Sequence, residues 1–142
     1  MTRANTTVTL GMLGEDIIFD MFEKAQKTDD WYDSKKDGTM TDTKKTYEVK
    51  TFRLNNKYQG IFIDRPQFKK IEEVDIRFWV RVPEQEFEKV RIYEFFADKC
   101  YDFRMNGTSG RMYPIKDMDY IGEYSDLDKA QVMLEKSKEL SK

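Results

Sequence analysis

Residues 37–51 read DGTMTDTKKTYEVKT, and they place an acid shortly before an acid-hydrophobe-lysine triplet in a strand-like segment. Successive side chains of a strand point to opposite faces, so Glu48 and Lys50 share one face of it. A hairpin that turns across residues 42–45 sets Asp37 opposite Lys50, where cross-strand Cβ atoms are about 5 Å apart. We therefore expect two carboxylates and one ammonium group to converge on this face.

The segments around this stretch alternate between helix and strand. Apolar residues recur at helical spacing over residues 11–27, which predicts an amphipathic helix. Strands are predicted at 30–37, 45–54 and 58–64, with GTMTDTK as the hairpin turn, and Pro66 opens a short helix before the strand DIRFWVRVP. This order predicts an α/β fold with a mixed β-sheet flanked by helices: antiparallel strands first, and a parallel strand after the second helix.

The rest of the chain adds a strand at KVRIYEFFAD, a Gly/Ser/Thr loop at NGTSGRMYP, a short strand at YIGEY and a last helix at residues 126–140. We expect one domain over residues 1–142. Its core spans about residues 11–96, and residues 97–142 add a loop, a strand and the C-terminal helix. The length is sufficient for a hydrophobic core without disulfides.

Composition restricts the possible chemistry. The chain has 142 residues, a formal net charge of −2, one cysteine and no histidine. Imidazole is the usual general base and a common metal ligand, so catalysis through histidine and zinc sites built on cysteine are excluded. Any catalysis must use carboxylates, lysines, tyrosines or a hard cation with oxygen ligands, such as Mg²⁺.

Metal-assisted hydrolysis of a phosphodiester is the chemistry that needs this grouping. Asp37, Glu48 and the backbone carbonyl of Val49 offer hard oxygen ligands for Mg²⁺. The cation would polarise the phosphate and acidify a bound water, while Lys50 would orient that water or stabilise the developing negative charge.

Asp37, followed after ten residues by Glu48-Val49-Lys50, resembles the D…(D/E)-x-K signature of the PD-(D/E)XK, or restriction endonuclease-like, nucleases. The core of that superfamily runs helix, three strands, helix, strand, and the resemblance covers roughly residues 11–82. The proline usually written before the aspartate is replaced by Lys36 here. The resemblance implies a DNA endonuclease that uses Mg²⁺, with Mn²⁺ able to substitute.

Two further acids compete for places in the site. Members of the superfamily often carry an acid on the first helix that assists the metal, and Glu15 matches it. An acid in the first turns of a helix also favours the helix dipole whatever its function. Asp33 is the rival to Asp37 for the aspartate position, because it has the same strand parity. We favour Asp37, since Asp33 would lie opposite Leu54, beyond the pocket.

The same residues permit a simpler interpretation. In a chain so rich in charge, Glu48 and an exposed Lys50 could be an ion pair on a solvated strand face, with no further role. The candidate contacts to DNA are weaker still, because paired lysines are usually only solvated. They are Lys35, Lys36, Lys44, Lys45, Gln67, Lys69, Lys70 and Arg111, the last in a polar loop suited to a DNA groove.

The sequence thus predicts a homing-type, restriction-type or phage-type endonuclease, or a four-way junction resolvase of the same fold. A non-catalytic nucleic-acid-binding or assembly protein is the alternative from another class. Cutting both strands of a duplex needs two active sites, which favours a homodimer. The sequence has no signal peptide and no long apolar run, so we expect an intracellular protein without a membrane segment, acting in a bacterial or phage-infected cell.

Overall fold

The computed structural model describes residues 9–22, 25–27 and 37–140. Its helices are α1 (Leu10–Met21), α2 (Phe68–Glu73) and α3 (Leu127–Leu140), with 3₁₀ turns at Arg65–Gln67 and Ile115–Asp117. Its strands are β1 (Ala25–Lys27), β2 (Gly38–Met40), β3 (Thr46–Phe52), β4 (Gly60–Asp64), β5 (Ile76–Arg81), β6 (Val90–Phe95), β7 (Tyr101–Met105), β8 (Thr108–Pro114) and β9 (Asp119–Tyr124). The predicted mixed α/β architecture is confirmed.

Helix α1 begins where the sequence suggested and ends earlier. The Thr9 hydroxyl accepts a hydrogen bond from the Met12 amide at 3.2 Å, which caps the first turn. The prediction that the helix continues to residue 27 is wrong, because Phe22 is already extended and residues 25–27 form strand β1. The apolar spacing that suggested a longer helix therefore spans both elements.

A six-stranded mixed sheet in the order β1-β2-β3-β5-β6-β9 forms the centre of the fold. Strands β1, β2 and β3 are antiparallel, whereas β5, which follows α2, pairs with β3 in parallel. The parallel pairing confirms the direction expected for the strand after the second helix. The strand predicted at 30–37 lies, except for Asp37, outside the described residues, and β2 occupies part of the predicted turn.

The third predicted strand, β4, does not join this sheet. It pairs with β8 in a separate three-stranded sheet of order β4-β8-β7. The reason is that β3 has no free edge: β2 occupies one side and β5 the other. The second sheet therefore covers one face of the central sheet.

The prediction that NGTSGRMYP forms a loop is wrong. This segment is the turn and second strand of the β7–β8 hairpin, in which Met105 pairs with Thr108. Asn106 and Gly107 have φ angles of 50° and 82°, as a two-residue hairpin turn of this hand requires. The Asn-Gly pair is a strong hairpin signal and could have identified this turn from the sequence.

Both faces of the central sheet are covered. Helices α1 and α3 cover one face, where Ile17, Ile18, Val80 and Met133 are among the fully buried residues. The second sheet and α2 cover the other face, with Trp79 at its centre. Segment 97–142 thus contributes to both cores. Within the described ranges, no helix is both long enough and apolar enough to cross a membrane.

Candidate functional site

The β2–β3 hairpin brings Asp37 beside residues 47–49 of β3. Gly38 pairs with Tyr47, and the Asp37 amide donates to the Tyr47 carbonyl at 2.9 Å. The expected register, with Asp37 opposite Lys50, is wrong by two residues, because the loop occupies 41–44 and Met40 bonds to Lys45. A shift of two preserves the face on which each side chain lies. Residues 38–40, expected in the turn, form β2 because Met40 is buried in the core.

Glu48 is the centre of the site. It is only 1% exposed, and the Nζ atoms of Lys50 and Lys70 lie 3.2 and 3.3 Å from its Oε2. Its other oxygen, Oε1, is buried without a hydrogen-bond partner among the described residues. Lys50 is only 8% exposed. The alternative of a solvated strand face is therefore wrong, and so is the expectation of an exposed lysine at position 50.

Helix α2 and the turn before it complete the site from the opposite side. The Lys50 ammonium donates a hydrogen bond to Oε1 of Gln67, and Lys70 reaches Glu48 from the first turn of α2. Gln67 and Lys70, two of the candidate DNA contacts, are therefore in direct contact with the buried residues of the site. Pro66 precedes them in the 3₁₀ turn that leads into α2.

Asp37 is held by the backbone of β3. Its Oδ2 accepts a hydrogen bond from the Val49 amide at 2.7 Å. The amide and carbonyl of one strand residue point to the same side. The Val49 carbonyl therefore points toward Asp37, whereas the carbonyls of Thr46 and Phe52 point toward β5, where they accept from Asp75 and Val82.

Burial and the neighbouring charged groups shift the pKa of the Glu48 carboxyl. Burial raises the pKa of its carboxyl above the usual value, the negative charge of Asp37 raises it further, and Lys50 and Lys70 lower it. The net direction is upward. A cation between the two carboxylates would remove their repulsion and stabilise both ionised groups.

The donors partly fit a Mg²⁺ ion. A backbone carbonyl and two carboxylates, of which Glu48 has one oxygen without a partner among the described residues, agree with the way proteins hold this cation, which keeps several waters. Within the part of the chain that the structure describes, however, no three acidic or thiol side chains lie together as a metal cage. Any Mg²⁺ held here would have at most two side-chain ligands among the described residues, with water or phosphate completing its shell.

Glu15 lies on α1, on the face of the central sheet opposite Glu48. It is half-buried. Burial, and after it the charges of Asp37 and of Glu15, raise the pKa of Tyr47 to about 12. Asp37 thus acts electrostatically on residues of both faces. The structure does not bring Glu15, Asp37 and Glu48 together as one three-carboxylate group.

The remaining candidates are scattered. Asp33, Lys35 and Lys36 lie outside the described residues. Lys44, Lys45 and Lys69 are exposed near the hairpin turn and on α2. The expectation that Arg111 lies in a flexible loop is wrong, because it belongs to strand β8, packs over the Phe68 ring at 4.0 Å and pairs with Glu72.

Sequence reasoning missed one buried charge beside the site. Arg77 on β5 lies next to Glu48 on β3 in the register of the parallel strands. Its guanidinium donates hydrogen bonds to the carbonyls of Ile71 and Val74 at the end of α2. The signal for it was a charged residue between apolar ones in DIRFWVRVP, on the same face as Trp79.

No family model matches this sequence, and no curated protein matches it.

Proposed function

We propose that this protein is a Mg²⁺-dependent DNA endonuclease of the PD-(D/E)XK type. The observation that carries the proposal is Glu48, a buried carboxylate 3.2 Å from the Lys50 ammonium on the same strand, with the Asp37 carboxylate bonded to the Val49 amide between them in sequence. Burying ions is costly, so a cluster of charged groups in a packed interior is typical of a functional site.

Asp37, Glu48 and the Val49 carbonyl would hold the cation. When bound, Mg²⁺ supplies a Lewis acid for the phosphate and lowers the pKa of a coordinated water. Asp37 is oriented for this role by the Val49 amide, which leaves its second oxygen for the cation. Glu48 would contribute Oε1, which has no hydrogen-bond partner among the described residues.

Lys50 would act on the reacting phosphate. Its ammonium group is oriented by Glu48 and by Gln67, and one of its three hydrogens remains for a phosphate oxygen or the attacking water. A preorganised cation in a site that excludes water stabilises developing negative charge more strongly than one in bulk water. Gln67 and Glu48 would thus position Lys50 for catalysis.

The order of elements supports the same proposal. Helix α1, the antiparallel strands β1 to β3, helix α2 and the parallel strand β5 follow the order helix, three strands, helix, strand. Strand β4 is inserted between β3 and α2 and belongs to the second sheet. The proposal therefore treats β4, β7 and β8 as an addition to the nuclease core.

DNA would meet the exposed lysines near the site. Lys44 and Lys45 in the hairpin turn and Lys69 on α2 could neutralise phosphates despite the net charge of −2. Cutting both strands of a duplex would require a homodimer or two successive encounters, so we propose a homodimer. Its mass in solution, measured by light scattering with and without DNA, tests that part.

Cleavage of supercoiled plasmid and of a synthetic four-way junction tests the function. We expect the wild-type protein to cut with Mg²⁺ or Mn²⁺ but not with Ca²⁺. The variant Lys50→Met keeps the apolar stem in its buried place, and it should bind DNA in Ca²⁺ but fail to cut. Lys138→Met, at an exposed lysine of α3 on the other face of the central sheet, is the control and should retain cleavage.

The outcome separates the candidate functions. A strong preference for the junction would identify a resolvase, and cleavage of plasmid at defined positions would identify a homing or restriction enzyme. If wild type and Lys50→Met behave alike on both substrates and in DNA binding, the catalytic proposal fails. Binding without any cleavage would then favour a nucleic-acid-binding protein.

A further inference from the structure

A cleft lies next to the candidate catalytic residues, at the end of strand β3. Glu48, Lys50 and Phe52 share one face of β3, and residues two apart on a strand are separated by about 6.5 Å. Phe52 and Gln67 line a cleft of about 350 Å³. Since Gln67 also accepts a hydrogen bond from Lys50, the cleft and the candidate catalytic site share a residue.

The walls of this cleft combine aromatic rings with polar groups. Phe52 and Phe62 supply the rings, and Asp64, Gln67 and Asn106 supply the polar side chains. A pocket with apolar walls and a few fixed polar groups is typical of sites for small planar ligands.

The Phe62 ring of the cleft packs against further aromatic rings. The Phe62 ring packs edge-on against Phe103 with centroids 6.2 Å apart, and Phe103 packs against Tyr58 at 4.6 Å. The tight Asn106-Gly107 turn of the β7–β8 hairpin forms the opposite rim with Met105 and Thr108. Both sides of the cleft therefore belong to hydrogen-bonded strands or to the turn that joins them.

The polar groups define what the ligand must offer. An ionised Asp64 carboxylate can only accept hydrogen bonds. Its Oδ1 is buried and has no hydrogen-bond partner among the described residues. The Gln67 oxygen is used by Lys50, so the amide NH₂ is the part of that side chain left to donate. A ligand that presents an amino group beside an acceptor nitrogen matches this pair.

We propose that this cleft holds one unpaired nucleobase of the DNA strand being cut, with a preference for bases that carry an exocyclic amino group. The inference rests on the proposed nuclease function. Aromatic rings bind the faces of bases through stacking, and a carboxylate accepts from the amino group of cytosine. The strand would pass from the base in the cleft to its phosphate at Lys50, along the face of β3.

Binding of three labelled duplexes tests the proposal, measured by fluorescence anisotropy in Ca²⁺ so that no strand is cut. One duplex carries a single unpaired cytosine, the second an unpaired thymine and the third an abasic residue at the same position. We expect the wild-type protein to bind the unpaired cytosine about fivefold or more tightly than the abasic residue, with thymine between them.

Two variants assign the effect to the cleft. Phe62→Leu keeps an apolar side chain but removes the ring, and it should lose the preference for a base over the abasic residue. Tyr120→Leu removes an exposed ring that packs on Tyr93 and does not line the cleft, and it should retain the preference. Asp64→Asn should reduce the difference between cytosine and thymine.

Equal affinity of the wild-type protein for all three duplexes would overturn this inference while leaving the nuclease proposal intact. A base preference that Phe62→Leu does not change would also overturn it. If the base preference is present but the plasmid and junction are not cut in Mg²⁺, the cleft stands as a nucleobase site and the nuclease proposal fails.

Discussion

The Asp37 carboxylate accepts a hydrogen bond from the Val49 amide at 2.7 Å, although Asp37 precedes the strand that pairs with β3. The side chain thus continues the ladder of backbone hydrogen bonds beyond Gly38. One carboxylate oxygen serves the fold, and the proposed cation would take the other. These two roles can be separated by substitution.

Asp37→Asn and Asp37→Ala form the first matched pair. Asparagine keeps an acceptor for the Val49 amide, so it should lower the free energy of unfolding by less than about 1 kcal/mol, whereas alanine should lower it by about 1–2 kcal/mol. Both should lose cleavage, because both remove a charged metal ligand. Urea unfolding and plasmid cleavage measure the two effects. Equal stability of the two variants would show that the hydrogen bond contributes nothing.

Glu48→Gln tests the electrostatics of the buried carboxylate. Because the folded-state pKa of Glu48 is raised above its ordinary value of 4.5, the stability that this group contributes is greatest below pH 4.5 and is lost as pH rises through the folded pKa. The unfolding free energy of wild type minus that of Glu48→Gln should therefore fall as pH increases from 4.5 to 7.5 in the absence of metal.

Urea unfolding at four pH values measures this difference. Glu123→Gln, in which the lost carboxylate belongs to an exposed ion pair with Arg91, controls for the change in surface charge. A difference that grows with pH would mean that Lys50 and Lys70 outweigh burial and Asp37. Addition of Mg²⁺ should stabilise the wild-type protein but not Glu48→Gln.

Lys70→Gln should strengthen Mg²⁺ binding. The Lys70 ammonium lies 3.3 Å from Glu48 and repels any cation bound to the same carboxylate. Its removal should raise Mg²⁺ affinity by roughly three- to tenfold at pH 8, where protons compete little for Glu48. Isothermal titration calorimetry measures the affinity, with the neighbouring exposed Lys69→Gln as control. Weaker binding instead would mean that Lys70 orients Glu48.

Gly14→Ala should destabilise the contact between α1 and β3. A Cβ atom at Gly14 would lie 1.9 Å from the Thr51 hydroxyl oxygen, so α1 or Thr51 would have to move. We expect a loss of about 1–3 kcal/mol, measured by chemical unfolding. Gly11→Ala in the same helix meets nothing closer than 3.9 Å, and it should be neutral or stabilising.

The double variant Gly14→Ala with Thr51→Ala tests whether the contact with Thr51 causes the loss of stability in Gly14→Ala. Removing the Thr51 hydroxyl and methyl groups relieves the closest contact, so the combined loss should be smaller than the sum of the two single losses by more than about 0.5 kcal/mol. Strict additivity would place the origin of the strain elsewhere.

Local patterns in the sequence were sufficient for much of the fold. Alternation located β3, β5, β6 and β9, and helical spacing with Pro66 located the three helices. That Asp37 shares a face with Glu48 and Lys50 stays a prediction, since Asp37 precedes β2 and its carboxylate bonds to the Val49 amide. The register itself depends on the loop 41–44, where Lys44 adopts a φ of 62°. The loop contains no glycine or asparagine that would indicate a positive φ.

The burial of Glu48 and Lys50 could not be predicted locally. It results from α2 and from the second sheet, in which Ile61 on β4 pairs with Tyr113 on β8, far away in the sequence. Such pairing is non-local, and neither strand alone indicates which face of the central sheet it will cover. The cleft residues Phe62 and Asn106 were missed for the same reason.

Helix α2 has only six residues, too few for a helix that is stable on its own in water. Lys50 of β3 binds Gln67 just before its first turn, and Arg77 of β5 binds the carbonyls of Ile71 and Val74 at its end. The helix is thus tethered at both ends to neighbouring strands. Any opening that exposes its amides to hydrogen exchange must also release Lys70 from Glu48, so the exchange rate of this short helix reports how often the candidate site is dismantled.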